Sequence, residues 1–298
     1  MNLLSLFNGG SGLHHAFDCA NIKVDKCYYS EIDKWANLAT ETHYPNDIPL
    51  GDVLNWREWD IDWSSIDFVT AGFPCQSWSV AGLQKGDKDP RGQLFWVTLD
   101  IIQNVLEHNP NAKFLMENVK MRSDFEQYIT HHTEQALNNV SKIMIDAGLV
   151  SAHSRERYYW TNFEIEQPAD RGLYLRDILE DIEGDRPCVV RWNRGNGHFA
   201  ETLDIKGMDC IKRIYHPNQK APTLTTMGGG HREPKVYCAN GLYRKLTIPE
   251  MLRLQGLPDD WYSMLSDTQA KKCIGNGWQN DVIVHILRYL KKSLYFSN

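Results

Sequence analysis

Along residues 1–163, short apolar runs alternate with stretches whose apolar positions recur every three or four residues. That is the pattern of strand–helix–strand units in a mostly parallel sheet. Leu3–Phe7 predicts a strand, Asn8–Gly12 a tight turn and Leu13–Cys19 a short helix. Cys27–Ser30 predicts the next strand, followed by a helix over about Asp33–Thr42, and the run PLGDV sets a third strand just before Asp52. Asp67–Ala71 and Lys113–Met116 are two further strands. Between them, Leu94, Val97, Ile101 and Val105 share one face of a helix over about Gln93–Glu107. Thr133–Ala147 reads as another helix, with Leu137, Val140 and Met144 on one face and Gly148 ending it.

From Phe163 to about Ala221 the periodicity fades, and RWNRGNGHFAETLDIKGMD is rich in Gly, Asn and charge. This predicts a loop-heavy lobe with short strands. Order returns near Lys245, and Asp281–Leu290 predicts a helix on which Val282, Ile286 and Leu290 face one way. Asp281 at its start and Lys291-Lys292 at its end suit the helix dipole. The expected fold is α/β: a Rossmann-like, mostly parallel sheet with helices on both faces, plus the small lobe. The expected division is a main domain over 1–163 completed by 263–298, with the lobe over 164–262.

Composition excludes several classes. No apolar stretch is long enough to span a bilayer, and MNLLSLFNGG lacks a basic start and meets glycines at once, so it reads as a first strand rather than a signal. Seven cysteines without a CxxC pair argue against a disulfide framework and a zinc site, and an intracellular, cytoplasmic location is expected (nuclear only in a eukaryote). The pairs His14-His15 and His131-His132 lack metal-site spacing on a helix, and no metal is expected. The net charge of −6 is unevenly placed: residues 186–245 hold eleven Lys and Arg against four acids, a local +7 that leaves −13 elsewhere. A basic lobe on an acidic body is the footprint of a nucleic-acid contact face, or a chance cluster on a solvated surface.

Three groups of residues carry candidate chemistry. In LLSLFNGGSG, glycines after the first strand let backbone approach a nucleotide, and Glu31, nineteen residues beyond Gly12, is placed to reach a ribose hydroxyl. The spacing is not GxGxxG and no P-loop lysine follows, which suits a nucleoside without a pyrophosphate. Asp52 reads as a helix N-cap or as an acceptor for an adenine amine. In AGFPCQSWSVAG, Gly72 and Pro74 make a rigid turn at a strand end, where Cys75 reads as a nucleophile rather than a packed thiol. LMENV sets Glu117 and Asn118 after a neighbouring strand, from which the carboxyl group can give a proton to a ring nitrogen while a thiolate attacks a ring carbon. In SRERYYW, Arg155 and Arg157 alternate in a strand, so both are expected to face one way, to orient a base edge, bind phosphate, lower a thiol pKa or make surface salt bridges.

Assembled in order, these residues resemble the cytosine-5 DNA methyltransferase family over nearly the whole chain. Phe7-x-Gly9-Gly10-x-Gly12 is similar to its cofactor motif, Phe73-Pro74-Cys75-Gln76 to its catalytic loop, Glu117-Asn118-Val119 to its Glu-Asn-Val motif and Arg155-x-Arg157 to its paired arginines. APTLTT and PEMLRLQGLPDDW are similar to the motif that props the recognition lobe, and Gly275-Asn276-Gly277-Trp278 to the last motif, which returns to the cofactor. His153, where the family often has Gln, and the Trp of GNGW resemble the animal de novo enzymes more than typical restriction-modification enzymes. Asn8 replaces an acid often found after the Phe.

The resemblance implies methyl transfer from S-adenosylmethionine to carbon 5 of a flipped cytosine in double-stranded DNA. Cys75 would add at carbon 6, Glu117 would protonate nitrogen 3, and Arg157 and Arg155 would hold the pyrimidine oxygen and nearby phosphate. The implied cofactor contacts are Phe7, Asn8, Gly9, Gly10, Ser11, Gly12, Glu31, Ile32, Asp52, Val53, Gly72, Pro74, Leu94, Asn276, Gly277 and Trp278. Restriction-modification or phage protection is the implied setting, with no membrane partner and the oligomeric state open. The alternatives are a tRNA cytosine-5 methyltransferase and an inactive DNA-binding homologue.

Overall fold

The computed structural model describes residues 1–74, 92–187, 200–203, 205–229, 231–238 and 241–295. The chain divides into two compact units: one of Met1–Ile145, Glu156–Gln167 and Val282–Asn298, the other of Asp146–Arg155 and Pro168–Asp281. The second unit therefore takes in two stretches, 146–155 and 263–281, that the expected division assigned to the main domain.

In the first unit, β1 (Asn2–Leu6), β2 (Lys26–Ser30), β3 (Ile48–Gly51), β4 (Phe68–Ala71), β5 (Lys113–Val119), β6 (Ser141–Asp146) and β7 (Glu156–Thr161) form one sheet in the order β3-β2-β1-β4-β5-β7-β6. Neighbours from β3 to β5 pair in parallel, and β7 runs antiparallel to β5. The parallel strands are connected by α1 (Gly12–Cys19), α2 (Lys34–His43) and α3 (Leu94–His108). The order reverses between β1 and β4, and it is at such a switch point that open α/β sheets hold ligands at their strand ends. Leu4, Leu6, Val69, Phe114 and Met116 of the strands and Phe95, Ile101, Ile102 and Val105 of α3 form one buried core. The near-continuous apolar reading of β1 and β4 follows from burial on both sheet faces. Asp33 starts α2 by accepting from the Trp35 and Ala36 N–H groups.

One expected element is corrected. Thr133–Ala147 is not a single helix but the end of α4 (Ser123–Leu137) followed by β6. Asn138 and Asn139, at φ +50° and +42°, break the helix there. The expected strand Lys113–Met116 also runs on to Val119, which places Glu117 and Asn118 inside β5 rather than after it.

The second unit holds a five-stranded sheet of β8 (Arg186–Pro187), β9 (Ala200–Thr202), β10 (Arg213–Tyr215), β11 (Lys235–Cys238) and β12 (Leu242–Lys245), in the order β8-β12-β11-β10-β9. Its helices are α5 (Asp209–Lys212), α6 (Ile248–Leu254) and α7 (Asp267–Asn276), and α8 (Asn280–Tyr295) leads back into the first unit. Thr247 and Glu250 form a reciprocal capping box on α6, and Glu250 also holds Arg244 in a buried two-bond ion pair at 2.6 and 2.8 Å. No helix among the described residues is long and apolar enough to cross a membrane.

Candidate functional site

The turn after β1 is built by its own polar side chains. Phe7, Gly9 and Ser11 all have φ near +60°, and the Ser11 backbone leads directly into α1. Asn8 locks this turn: its oxygen accepts from Ser5 Oγ at 2.8 Å, and its amide donates to Ser11 Oγ at 3.1 Å and Thr40 Oγ1 at 3.0 Å. Ser11 is fully buried and bonds Thr40 as well. The side chains of Asn8 and Ser11 are therefore committed inward, and what the turn offers to a ligand is backbone. At Gly9 a Cβ would meet nothing within 4 Å, so the surface beside it is open.

Glu31 closes the turn from the end of β2. Its Oε2 accepts from the Gly9 N–H at 2.9 Å, while Oε1 accepts from the Ile32 and Asp33 N–H groups, both at 2.8 Å. An ionised carboxylate has about four acceptor positions, so three backbone bonds leave room for a hydroxyl. Ile32, 76% exposed, and Leu54, 60% exposed, are large apolar side chains that the described residues leave uncovered. Asp52 follows β3 and caps the next turn of 3-10 helix through Oδ1, accepting from the Leu54 N–H at 3.0 Å. Val53 instead belongs to the core, and Leu94 packs partly against it. An open glycine turn, a carboxylate with room for a hydroxyl and uncovered apolar side chains suit an adenosine-type ligand rather than one needing a phosphate cradle.

At the end of β4 the chain passes Gly72, Phe73 and Pro74, and Cys75 itself lies outside the described residues. Its approach is anchored twice. The Phe73 ring sits in the core against Phe95, centroids 5.4 Å apart, and the Phe73 carbonyl accepts from Asn118 Nδ2 at 3.1 Å. Asn118 is buried, and its oxygen accepts from the Val119 N–H at 2.8 Å. This is a role the motif alone did not assign: Asn118 ties β5 to the segment that delivers Cys75. A polar residue at a core-facing strand position was the available signal.

Beside it, Arg157 Nε meets Glu117 Oε1 at 2.8 Å, with both side chains 12% exposed. Val119 is the residue opposite Arg157 in the register, so Glu117 is its diagonal neighbour on the same face. Arg157 also donates to the Glu156 carbonyl at 2.9 Å, which fixes the guanidinium plane.

Arg155 departs from expectation. It precedes β7, so the alternation that would align it with Arg157 does not extend to it. It is buried within the second unit, where its guanidinium donates to the carbonyls of Leu224 at 3.2 Å, Gly275 at 3.4 Å and Gly277 at 2.8 Å. Gly275 is required there, because a Cβ would lie 2.2 Å from the Thr225 backbone. Asp146 was missed: it accepts from the Gly148 and Arg155 N–H groups at 2.9 and 2.7 Å and so shapes the 146–155 connection. Asn276 is exposed at the end of α7, with Gly277 as its C-cap and Trp278 half-buried.

The fold and this corner define a class: a doubly wound α/β protein with an open glycine turn after β1 and an acid–arginine pair across β5 and β7. Comparison with known proteins gives the family. The model of the C-5 cytosine-specific DNA methylase family matches residues 1–148 and 127–292, and the chain belongs to that family. It is 30% identical to the type II methyltransferase M.HhaI of Haemophilus parahaemolyticus, over 97% of this chain and 93% of that one. It is 31% identical to M.SsoII of Shigella sonnei, over 92% and 76% respectively. In structure it is similar to the S. pombe Dnmt2 methyltransferase, with a TM-score of 0.69, 20% identity and coverage of 99% and 100%. As a class, the protein is a DNA (cytosine-5) methyltransferase.

Proposed function

We propose that this protein transfers a methyl group from S-adenosylmethionine to carbon 5 of a cytosine flipped out of duplex DNA, with Cys75 as nucleophile. The observation that carries this reading is the β5 corner, where consecutive residues set an acid and the nucleophile's anchor. Glu117 is held by Arg157 at 2.8 Å, and Asn118 holds the Phe73 carbonyl at 3.1 Å. Attack by a Cys75 thiolate on carbon 6 pushes electrons toward nitrogen 3, to which Glu117, in its protonated form, delivers a proton. Carbon 5 gains nucleophilic character from that enamine. Arg157, already oriented by Glu117 and the Glu156 carbonyl, donates to the pyrimidine oxygen. Once carbon 5 carries the methyl group, its proton passes to a solvent base, Cys75 leaves as thiolate, and nitrogen 3 returns its proton to Glu117, which restores the neutral aromatic ring.

S-adenosylmethionine supplies an electrophilic methyl group. For it, Glu31 takes a ribose hydroxyl, Asp52 the adenine amine, and Ile32 covers the ring; Gly9, Gly10 and Gly12 admit the ligand to backbone. Gly72 and Pro74 border it, and Asn276, Gly277 and Trp278 are proposed contacts on the motif alone. Arg155 is proposed as a positioning residue rather than one that touches the base, because three carbonyls engage it. The second unit is the proposed DNA-reading part.

The test incubates the protein and its Cys75→Ser variant with tritiated S-adenosylmethionine and either mixed DNA duplexes or tRNA. Label in 5-methylcytosine of DNA, lost in the variant, is the expected result. Label that persists in the variant would remove Cys75 as nucleophile, and label on tRNA alone would replace DNA as substrate.

A further inference from the structure

Three side chains of different chemistry meet in the first unit, apart from the groups assigned above. His14 projects from α1, Cys27 from β2, and Asp47 from the segment between α2 and β3. One donor atom from each lies within 4.8 Å of the other two. His14 Nδ1 and Asp47 Oδ2 are 2.9 Å apart, and the side chains of Asp47 and His14 are only 5% and 14% exposed. Cys27 is buried as well. The imidazole is held from behind by Tyr44, stacked at 3.8 Å between centroids and 10° between planes, and the Tyr44 hydroxyl donates to Asp18 at 2.7 Å. A thiol, an imidazole and a carboxylate thus converge from three separate elements with one ring already oriented. Neither histidine pair showed metal spacing because these ligands are not on one helix.

We propose that His14, Cys27 and Asp47 bind a zinc ion, with water in the fourth position. The donor set decides the metal: sulfur and nitrogen beside one oxygen suit Zn²⁺, whereas Mg²⁺ and Ca²⁺ require oxygen shells. Ligand atoms around tetrahedral zinc lie roughly 3.5 Å apart, so closing the site takes small shifts of side chains. Charge balances too. Cys27 releases its proton to solvent on binding, and the thiolate and Asp47 carboxylate together neutralise the dication, which a buried site demands. The position gives the ion a consequence. α1 starts at the glycine turn, β2 ends beside Glu31, and Asp47 leads into β3 and Asp52, so one ion clips together the three elements that present the nucleoside-binding edge.

The test uses the full, tag-free chain stripped of metal, titrated with Co²⁺ and then Zn²⁺. The expected result is one Co²⁺ per chain with a thiolate-to-cobalt absorption band, displaced by Zn²⁺, and a melting temperature raised by zinc. Cys27→Ser removes the band; His14→Ala, at a partly exposed helix position, weakens binding at least tenfold and loses the zinc-dependent rise in melting temperature. Cys19→Ser, an exposed thiol on the same helix, leaves all of this unchanged. Absence of a band in folded wild-type protein, or binding unaltered in folded His14→Ala, overturns the proposal. Neither readout depends on methyl transfer.

Discussion

The β5–β7 corner of the first unit and the basic stretch of the second use the same residue types to opposite ends. At the corner, Glu117 and Arg157 engage each other, and the proposed function directs the rest of their hydrogen-bonding capacity to a flipped base. In the second unit the cations are mostly tied into the fold. Of the nine described Lys and Arg between 186 and 245, Lys220 and Lys235 donate to backbone carbonyls. Arg186, Arg213, Arg244 and Lys245 pair with carboxylates. Two residues apart, Arg157 and Arg155 repeat the contrast. A formal charge of +7 read from a sequence is therefore not +7 presented to a polyanion. Exposed Lys206 and Arg232 are the better candidates for phosphate contact.

The largest expected effect belongs to the corner. Glu117→Gln keeps size and Arg157 contact but cannot deliver the proton, so kcat should fall by about 10²–10⁴-fold with little change in melting temperature. Steady-state labelling and thermal unfolding separate the two readouts; an equal loss in both would make Glu117 scaffold and dissolve the contrast. Arg157→Lys removes the planar donor set, and a fall in kcat/KM of about 10–100-fold is expected.

The converse holds for Arg155. Arg155→Ala strands the carbonyls of Leu224, Gly275 and Gly277, and a stability loss of about 2–4 kcal/mol is expected. Gly275→Ala should cost a comparable amount, since the methyl meets backbone that cannot move aside. Denaturant unfolding measures both. If Arg155→Lys, which keeps the charge, restored stability but left kcat depressed at saturating substrates, Arg155 would join the catalytic corner instead.

The strands and helices that pack on both sides of the sheet were legible because burial writes itself into apolar runs and helical repeats. Errors fell where a pattern crossed a break. Leu137, Val140 and Met144 keep helical spacing, yet the two asparagines at positive φ separate a helix from a strand. Glu117 and Asn118 interrupt the apolar run that marks a strand, yet β5 continues through them to Val119. Arg155 looked like the partner of Arg157 because alternation was extended one residue too far. Gly275 lies so close to Thr225 that an added Cβ would sit 2.2 Å from its backbone; that joins segments fifty residues apart, and neither local pattern announces it. Motif order singles out Cys75, Glu117, Asn118 and Glu31 as candidates in the sequence, whereas what Asn118 and Asp146 hold shows only in their hydrogen bonds.

The smallest expected effect tests whether committed cations can be released. Glu233 pairs with Lys245 and, at 2.7 Å, with Lys271. Burial by itself would push the Glu233 carboxyl up, but the two ammonium groups outweigh it and hold the pKa below its ordinary value. Its stabilising contribution is therefore complete above the ordinary carboxylate range and fades as pH falls through the lowered value. Glu233→Gln should cost about 1–2 kcal/mol at neutral pH and flatten that part of the acid limb. The same variant frees two lysines. If they can reach phosphate, the dependence of log K for DNA on log salt steepens by up to about 1.8; an unchanged slope means that these lysines are scaffold even when unpaired. The first result would narrow the difference between the two regions to a matter of pairing, and the second would root it in where the fold points its side chains.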